Sequence, residues 1–165
     1  MSDLGESIIG LLRARYSDLF KRANAVLEQL SDADLHWRPN PESNSIANLV
    51  IHLRGNLRQR FHTDSGGAPD VRDRDAEFND RRPYSQQELL AIFAEAQSYV
   101  EAGFDRLTPV RLAAVTTVRG QDKTMLEVVL STATHLAEHT GQMLYIAKAR
   151  LGADYKVVST PHKKA

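Results

Sequence analysis

Apolar residues recur at three- and four-residue steps along most of the chain, which is the spacing of amphipathic α-helices. Polar and charged residues separate the members of each apolar stripe. The pattern predicts four helices, over residues 4–30, 44–62, 85–105 and 124–151. Four long helices, with no convincing sheet and no repeat of fixed period, predict an all-α fold of the four-helix-bundle type.

Helix-capping residues support several of these boundaries. Ser43 to Ser45 offer side-chain oxygens for the N-cap of the second helix. Two segments, Ser85 to Glu88 and Thr124 to Glu127, match the capping box that opens a helix. Gly152 is a natural C-terminal stop for the fourth helix, because glycine tolerates the left-handed backbone that follows a helix.

The segments between the helices predict connections. Residues 31–34 break the first stripe, and the prolines in residues 38–41 make a further helix before Glu42 unexpected. Residues 70–82 are mixed in charge and poor in apolar side chains, which predicts a long surface connection between helices two and three. Such a length allows these two helices to run parallel. The β-branched residues of 111–118, followed by a turn at 119–121, predict a short strand or hairpin.

The chain of 165 residues is long enough for one domain with a full core. We expect the bundle to occupy residues 1–155 and a flexible C-terminal tail to occupy residues 156–165. No apolar run approaches the roughly 20 residues of a membrane helix, and the N-terminus has no cleavage motif of a signal peptide. We therefore expect no membrane partner.

Charge and cysteine content narrow the possible functions. Lys and Arg together number 21, as do Asp and Glu, so the formal net charge is zero. Nucleic-acid binders usually carry a basic excess, so a nucleic-acid partner is disfavoured. The chain has no cysteine, which excludes disulfides, thiolate metal sites and a cysteine nucleophile. This composition suits a cytoplasmic location.

Three of the six histidines are candidates for metal ligation. His135 and His139 lie four residues apart in the predicted fourth helix, so both imidazoles project from one face in adjacent turns. Such a pair can chelate one metal ion, or can simply be two polar residues at the edge of the bundle. His52 lies on the flank of the second helix's apolar stripe, where a ligand and a hydrogen-bonded core histidine are both possible. The remaining histidines, His36, His62 and His162, are less specific.

Two segments that contain these histidines resemble a known family. The early segment, NLVIHLRGN at residues 48–56, and the late segment, THLAEHTGQ at residues 134–142, are similar to the two motifs of the DinB/YfiT-like superfamily. The late motif is the more specific of the two. The resemblance extends in order and spacing from about Leu4 to Leu151. It implies a four-helix bundle that binds a divalent metal ion.

Carried over position by position, the resemblance implies that His52, His135 and His139 are the metal ligands. Gly141 and Gln142 match the late motif as well, and there they imply close helix packing and polar support. Three neutral imidazoles without a carboxylate leave positions for water or substrate, as in catalytic zinc sites. Zinc and nickel both suit imidazole ligands.

Helix positions indicate which neighbouring side chains could be a fourth ligand or a hydrogen-bond partner of the three histidines. Glu138 is rotated about 100° from His139 on the helix, so we do not expect it to be a fourth ligand. Each ligand needs a partner for its other ring nitrogen. Asn48, Asn56 and Gln142 are candidates for that role by position.

The family resemblance also implies possible reactions. The superfamily includes transferases and isomerases that use low-molecular-weight thiols such as bacillithiol, mycothiol or glutathione. The first hypothesis is therefore a metal-dependent enzyme that transfers a small thiol to an electrophile, with both as partners. Arg54 and Arg58 could bind an anionic thiol or substrate, or form a solvated helix face. The alternative is a non-catalytic metal-binding bundle that acts in stress response or ligand sequestration. Small bundles often pair, so we expect a homodimer.

Overall fold

A computed structural model describes residues 2–158 of the chain. The α-helices are α1 (Ser2–Leu27), α2 (Asp32–His36), α3 (Ile46–Leu57), α4 (Arg74–Asn79), α5 (Gln86–Arg106), α6 (Pro109–Ala113) and α7 (Met125–Leu151). A π-helix, Arg58–Asp64, continues α3, and a 3₁₀ turn, Gly152–Asp154, follows α7. Strands β1 (Val115–Val118) and β2 (Gln121–Thr124) form an antiparallel hairpin between α6 and α7.

The predicted four-helix bundle is confirmed. Its long members are α1, α3 with the π-helix, α5 and α7, and all four lie close to the predicted boundaries. α3 packs mainly on α5, and α1 packs mainly on α7. The helices bury apolar residues along most of their inner faces, and the core runs the length of the bundle.

The capping residues act as predicted. The Ser45 side chain accepts a hydrogen bond from the backbone N–H of Asn48 at the start of α3. The capping boxes from Ser85 and Thr124 open α5 and α7. Gly152 ends α7 with a φ of +54°, a value that favours glycine.

Two short elements modify the predicted connections. α2 forms where the pattern predicted only a break, because Ser31 and Asp34 make a reciprocal capping box. An aspartate in place of the usual glutamate concealed that signal. The predicted strand or hairpin is confirmed over residues 115–124, with Arg119 and Gly120 as its two-residue turn, but residues 111–113 belong to the short helix α6.

Three aromatic rings form a cluster between α1, the π-helix and α5. We call this group the aromatic trio, and it consists of Tyr16, Phe61 and Phe104. The ring centroids of Tyr16 lie 5.4 Å from Phe61 and 5.3 Å from Phe104, both edge to face. The Tyr16 hydroxyl donates a 2.8 Å hydrogen bond to the carbonyl oxygen of Val129 on α7. The trio therefore joins three elements of the bundle to the fourth.

Beyond α7 the chain turns back towards α1. The backbone N–H of Lys156 donates a 2.8 Å hydrogen bond to the Gln29 side chain. The rest of the predicted tail, residues 159–165, lies outside the described residues. Within the described part of the chain, none of the helices has the length and apolar character needed to cross a membrane.

Candidate metal centre

The three histidines singled out in the sequence lie together between α3 and α7. One ring nitrogen from each of His52, His135 and His139 lies within 4.8 Å of the others. The ring centroids are 4.4 Å apart for the α7 pair and 5.1 Å from His52 to each member of that pair. We call this group the histidine cluster. His52 is 2% exposed, whereas the two α7 histidines are partly buried.

Hydrogen bonds fix the orientation of the His52 ring. Its Nδ1 lies 2.9 Å from Oε2 of Glu77 and 3.3 Å from Nη2 of Arg72. An ionised carboxylate only accepts hydrogen bonds, so Nδ1 carries the proton and donates a hydrogen bond to Glu77. Nη2 of Arg72 is then a second donor close to Nδ1, and these two atoms do not form a hydrogen bond. This assignment leaves a lone pair on Nε2 of His52, which accepts a hydrogen bond from Nε2 of His135 at 3.0 Å.

Glu77 belongs to a segment that we call the strap, residues 70–82. The prediction that this segment is only a surface connection is wrong at α4, where Glu77 is 7% exposed. Arg72 donates two 2.8 Å hydrogen bonds to the Glu77 carboxylate, which compensates for the cost of burying the charge. The ring of Phe78 packs on His52 with centroids 4.5 Å apart. The strap therefore covers His52 and holds its ring from outside the bundle.

A glycine on α3 makes room for this arrangement. A Cβ atom built at Gly55 would lie 2.7 Å from Cδ of Glu77, which is shorter than a van der Waals contact. Any larger residue would displace the carboxylate that orients His52. The motif position Gly55 is thus explained by the close approach of the strap.

His139 is oriented from its own helix. Its Nδ1 lies 2.8 Å from Oε1 of Gln142, three residues further along α7. With Nδ1 as donor, Nε2 keeps its lone pair, and this atom is buried without a hydrogen-bond partner among the described residues. Gln142 is therefore a ring partner, as its position predicted. Gly141 does not provide close helix packing, because a Cβ built there would meet no described atom within 4 Å.

The other two candidate ring partners act elsewhere. The Asn48 amide donates a 3.0 Å hydrogen bond to the carbonyl oxygen of Asp80 and so anchors the strap to α3. Asn56 is buried near His52, but its Oδ1 has no hydrogen-bond partner among the described residues. The partner of His52 is Glu77, which lies 25 residues away along the chain.

The surroundings of the two α7 histidines favour their neutral form. Burial, followed by the charges of His139, His52 and two nearby arginines, lowers the pKa of His135 to about 4. Burial is also the main cause that lowers the pKa of His139. Burial acts to raise the pKa of Glu77, but hydrogen bonds from Arg72 and His52 outweigh it, so its pKa lies below the ordinary value.

These observations test whether the residues fit a metal ion. Metal-binding imidazoles must be neutral, and each needs a lone pair directed away from its hydrogen-bonded nitrogen. His52 and His139 meet the second requirement through their hydrogen bonds to Glu77 and Gln142. The buried Nε2 of His139 has no hydrogen-bond partner among the described residues, and its lone pair could bind a cation. The cluster is compatible with a divalent metal of the kind that prefers nitrogen ligands.

A cavity of about 210 Å³ adjoins the cluster and is lined in part by His52 and His135. The two arginines considered from the sequence line a different cavity, of about 340 Å³, under the strap. Arg54 lies 3.4 Å from the carboxylate of Glu95, so its charge is partly compensated there. Arg54 and Arg58 are therefore not part of the wall beside the histidine cluster.

Comparison with known proteins agrees with this fold. A family model described as "Protein of unknown function (DUF1572)" matches residues 3–164. A crystal structure of a DinB-like protein from Bacillus cereus ATCC 10987 is similar with a TM-score of 0.68 at 15% identity, over 86% of this chain and 91% of that one. A DinB-like protein from Bacillus subtilis gives 0.66 at 15% identity, over 92% and 99%. No curated protein matches the chain. The predicted DinB-like fold is confirmed.

Proposed function

The chain belongs to the DUF1572 family and has a DinB-like fold, and from this basis we propose that His52, His135 and His139 bind a divalent metal ion. The observation that carries the proposal is the buried Nε2 of His139, which has no partner among the described residues and lies beside two further imidazoles. Leaving such a nitrogen unpaired costs about 1–3 kcal/mol, which a bound cation would recover.

The surrounding residues prepare two of the three ligands. Glu77 holds the proton of His52 on Nδ1, and Gln142 does the same for His139. Arg72 keeps Glu77 ionised and in place. Phe78 covers one face of the His52 ring and excludes water from that side. A cluster prepared in this way loses little conformational freedom on binding a cation.

We further propose that the chain is a metal-dependent enzyme rather than a passive metal binder. When bound, a divalent ion would supply Lewis acidity and lower the pKa of a bound water or thiol. The cavity next to His52 and His135 supports catalysis, because a substrate can approach the cluster there. A buried ion enclosed by side chains on all sides would instead favour the non-catalytic alternative.

The reaction proposed is transfer of a low-molecular-weight thiol to an electrophilic small molecule. The sulfur forms a bond to carbon, the bond to a leaving group such as chloride breaks, and the thiol proton is released to water. The thiol has to come from outside, because the chain contains no cysteine. A cytoplasmic location, where small thiols are kept reduced, and pairing into a homodimer remain predictions. Light scattering at micromolar concentration tests the pairing, and a monomeric mass would contradict it.

The metal site is tested by titrating the protein with Zn²⁺ or Ni²⁺ in competition with a chromogenic chelator. We expect one ion per chain in the wild type and at least a 100-fold weaker affinity after His52→Ala, His135→Ala or His139→Ala. Circular dichroism should show that these variants remain helical, because the apolar core does not depend on the cluster.

A matched control is His62→Ala. His62 lies on the π-helix, and its ring packs against Tyr99 with centroids 5.3 Å apart, outside the histidine cluster. Its replacement should leave the affinity for Zn²⁺ unchanged. Full stoichiometry and affinity in the His139→Ala variant would contradict the three-histidine site and the enzyme hypothesis built on it.

Activity is tested by screening the metal-loaded protein with bacillithiol, mycothiol and glutathione, each paired with a chlorinated aromatic electrophile. Loss of free thiol that needs the metal and all three histidines would support the transferase. Tight metal binding with no turnover in any combination would support the alternative of metal storage or ligand sequestration.

A further inference from the structure

The cavity beside the histidine cluster is unusually rich in positive charge. Besides His52 and His135, its wall contains Arg60, Arg72, Arg74 and Arg119, and no aspartate or glutamate of the described chain lines it. The cavity under the strap differs, because Asp70, Asp73, Glu77 and Asp80 are among its lining residues. Four guanidinium charges at one small opening repel each other unless carboxylates or a bound anion neutralise them.

Two of the four arginines are compensated by the protein. Arg60 pairs with Asp64, and Arg72 pairs with Glu77. The other two, Arg74 and Arg119, are exposed, and no described carboxylate lies within ion-pair distance of either. The guanidinium of Arg74 lies over the ring of Phe78, at 5.0 Å from its centroid, which restrains its position without neutralising it.

Arg119 occupies a backbone conformation that its side chain does not favour. Its φ is +51°, and Gly120, the other residue of the two-residue hairpin turn, has a φ of +76°. Asparagine, aspartate or glycine is the usual first residue of such a turn. Holding another residue there costs of the order of 1 kcal/mol or more. The backbone of the hairpin turn is therefore strained at Arg119, a residue whose guanidinium lines the cavity.

We infer that this cavity binds a small oxyanion, a carboxylate or a phosphate, between Arg74 and Arg119 and next to the histidine cluster. The inference rests on the proposed function and names its substrate class, a small molecule that carries one such anionic group. Arginine suits this role because its planar fork matches carboxylate and phosphate oxygens. A volume of about 210 Å³ lies below the roughly 300–1,000 Å³ of pockets that hold drug-sized ligands. The bound part of the molecule is therefore small.

The test is an NMR titration of the full chain, without metal and with Zn²⁺, at constant ionic strength. The probes are propionate for the carboxylate, methylphosphonate for the phosphate, and propionamide as the neutral match of propionate. We expect both anions to shift the Nε–H signals of Arg74 and Arg119, and propionamide to shift neither. The anion that binds more tightly identifies the group.

Variants separate binding from folding. Arg74→Gln and Arg119→Gly should each weaken the anion at least tenfold, and Arg119→Gly should also raise the melting temperature, because glycine relieves the strained turn. Arg15→Gln removes the same charge from α1, at a residue outside the cavity wall, and should change binding less than twofold.

The outcomes also separate this inference from the proposed function. The oxyanion site would be overturned, and the metal site supported, if Zn²⁺ binds at the three histidines while substitution of Arg74 and Arg119 leaves the anion affinity unchanged. Anion binding that depends on both arginines in a protein without Zn²⁺ affinity would uphold the oxyanion site and overturn the metal proposal. Shifts by propionamide equal to those by propionate would overturn the role of charge.

Discussion

The molecule contains two trios of rings that share edge-to-face packing, although the aromatic trio also has one tilted pair, Phe61 and Phe104, at 33°. In the aromatic trio, Tyr16 meets Phe61 and Phe104 at interplanar angles of 89° and 70°. In the histidine cluster, the three pairs of rings meet at 79°, 83° and 79°. The aromatic trio has one polar atom, the Tyr16 hydroxyl, and it is hydrogen bonded. The histidine cluster retains a buried nitrogen without a partner among the described residues.

The difference shows that ring packing alone does not distinguish a core from a site. Packed rings with satisfied polar atoms lower the free energy of the folded state. Packed rings with an unsatisfied nitrogen raise it, unless a ligand supplies the missing interaction. We therefore expect substitutions in the aromatic trio to change stability, and substitutions at the histidine cluster to change binding.

The largest expected effect comes from Phe104→Ala. Phe104 is 2% exposed, and removal of its ring should lower the free energy of unfolding by about 3–5 kcal/mol. The affinity of the folded fraction for Zn²⁺ should not change, because α5 supplies none of the three histidines. Urea unfolding gives the first quantity, and chelator competition gives the second. A loss of metal affinity without a loss of stability would break the comparison.

A smaller effect is expected from Gly55→Ala. The added methyl group would displace the Glu77 carboxylate and break its hydrogen bond to His52. Loss of such a ring partner typically weakens metal binding about 10–100-fold, or about 1.4–2.7 kcal/mol. The matched control is Gly141→Ala on α7, where a Cβ meets no described atom within 4 Å. Equal affinities of the two variants for Zn²⁺ would show that the strap does not orient His52.

Tyr16→Phe tests the single polar atom of the aromatic trio. The variant should lose about 1 kcal/mol of stability at pH 8, the typical worth of one hydrogen bond. Burial raises the pKa of Tyr16 well above 10, so its contribution is complete below pH 10 and is lost as the pH rises further. Alkaline unfolding should therefore be shallower in Tyr16→Phe than in the wild type. Tyr145→Phe, at a side chain that is 76% exposed, should leave the stability at pH 8 unchanged.

The smallest effect concerns the histidine cluster in acid, with metal removed by a chelator. The pKa of His135 is about 4 in the folded chain and about 6.5 in the unfolded chain. Its contribution to stability is therefore complete above pH 6.5 and is lost as the pH falls towards 4. His135→Gln should flatten the fall in stability between pH 6.5 and 5, as measured by urea unfolding. Solvent screening of this partly exposed ring keeps the difference small.

Features set by neighbouring residues could be predicted from the sequence. Capping boxes act over three residues, and the spacing of His135 and His139 places both rings on one face of any helix. The four long helices, three of their N-caps and the α7 histidine pair followed from such local rules. The placement of His52 followed from its position on an apolar stripe and from the family motif.

Features that join distant segments could not be predicted in this way. Glu77 lies in a charged stretch, and a hydrophobic pattern assigns every charged residue to the surface. Only the structure shows that Arg72 and His52 together compensate its burial. The arginines of the cavity likewise come from separate segments, including the hairpin turn with Arg119. No local spacing rule links them.

The distance along the chain between His52 and His135 has a consequence for synthesis. The two residues are separated by 83 positions, so at 5–20 residues per second the ribosome delivers His135 about 4–17 s after His52. Glu77, only 25 positions after His52, emerges much earlier. A newly made chain can therefore pair His52 with its carboxylate partner while α7 is still being synthesised. The histidine cluster becomes complete only when α7 packs against α3, so a cation that needs all three histidines could bind only after that step.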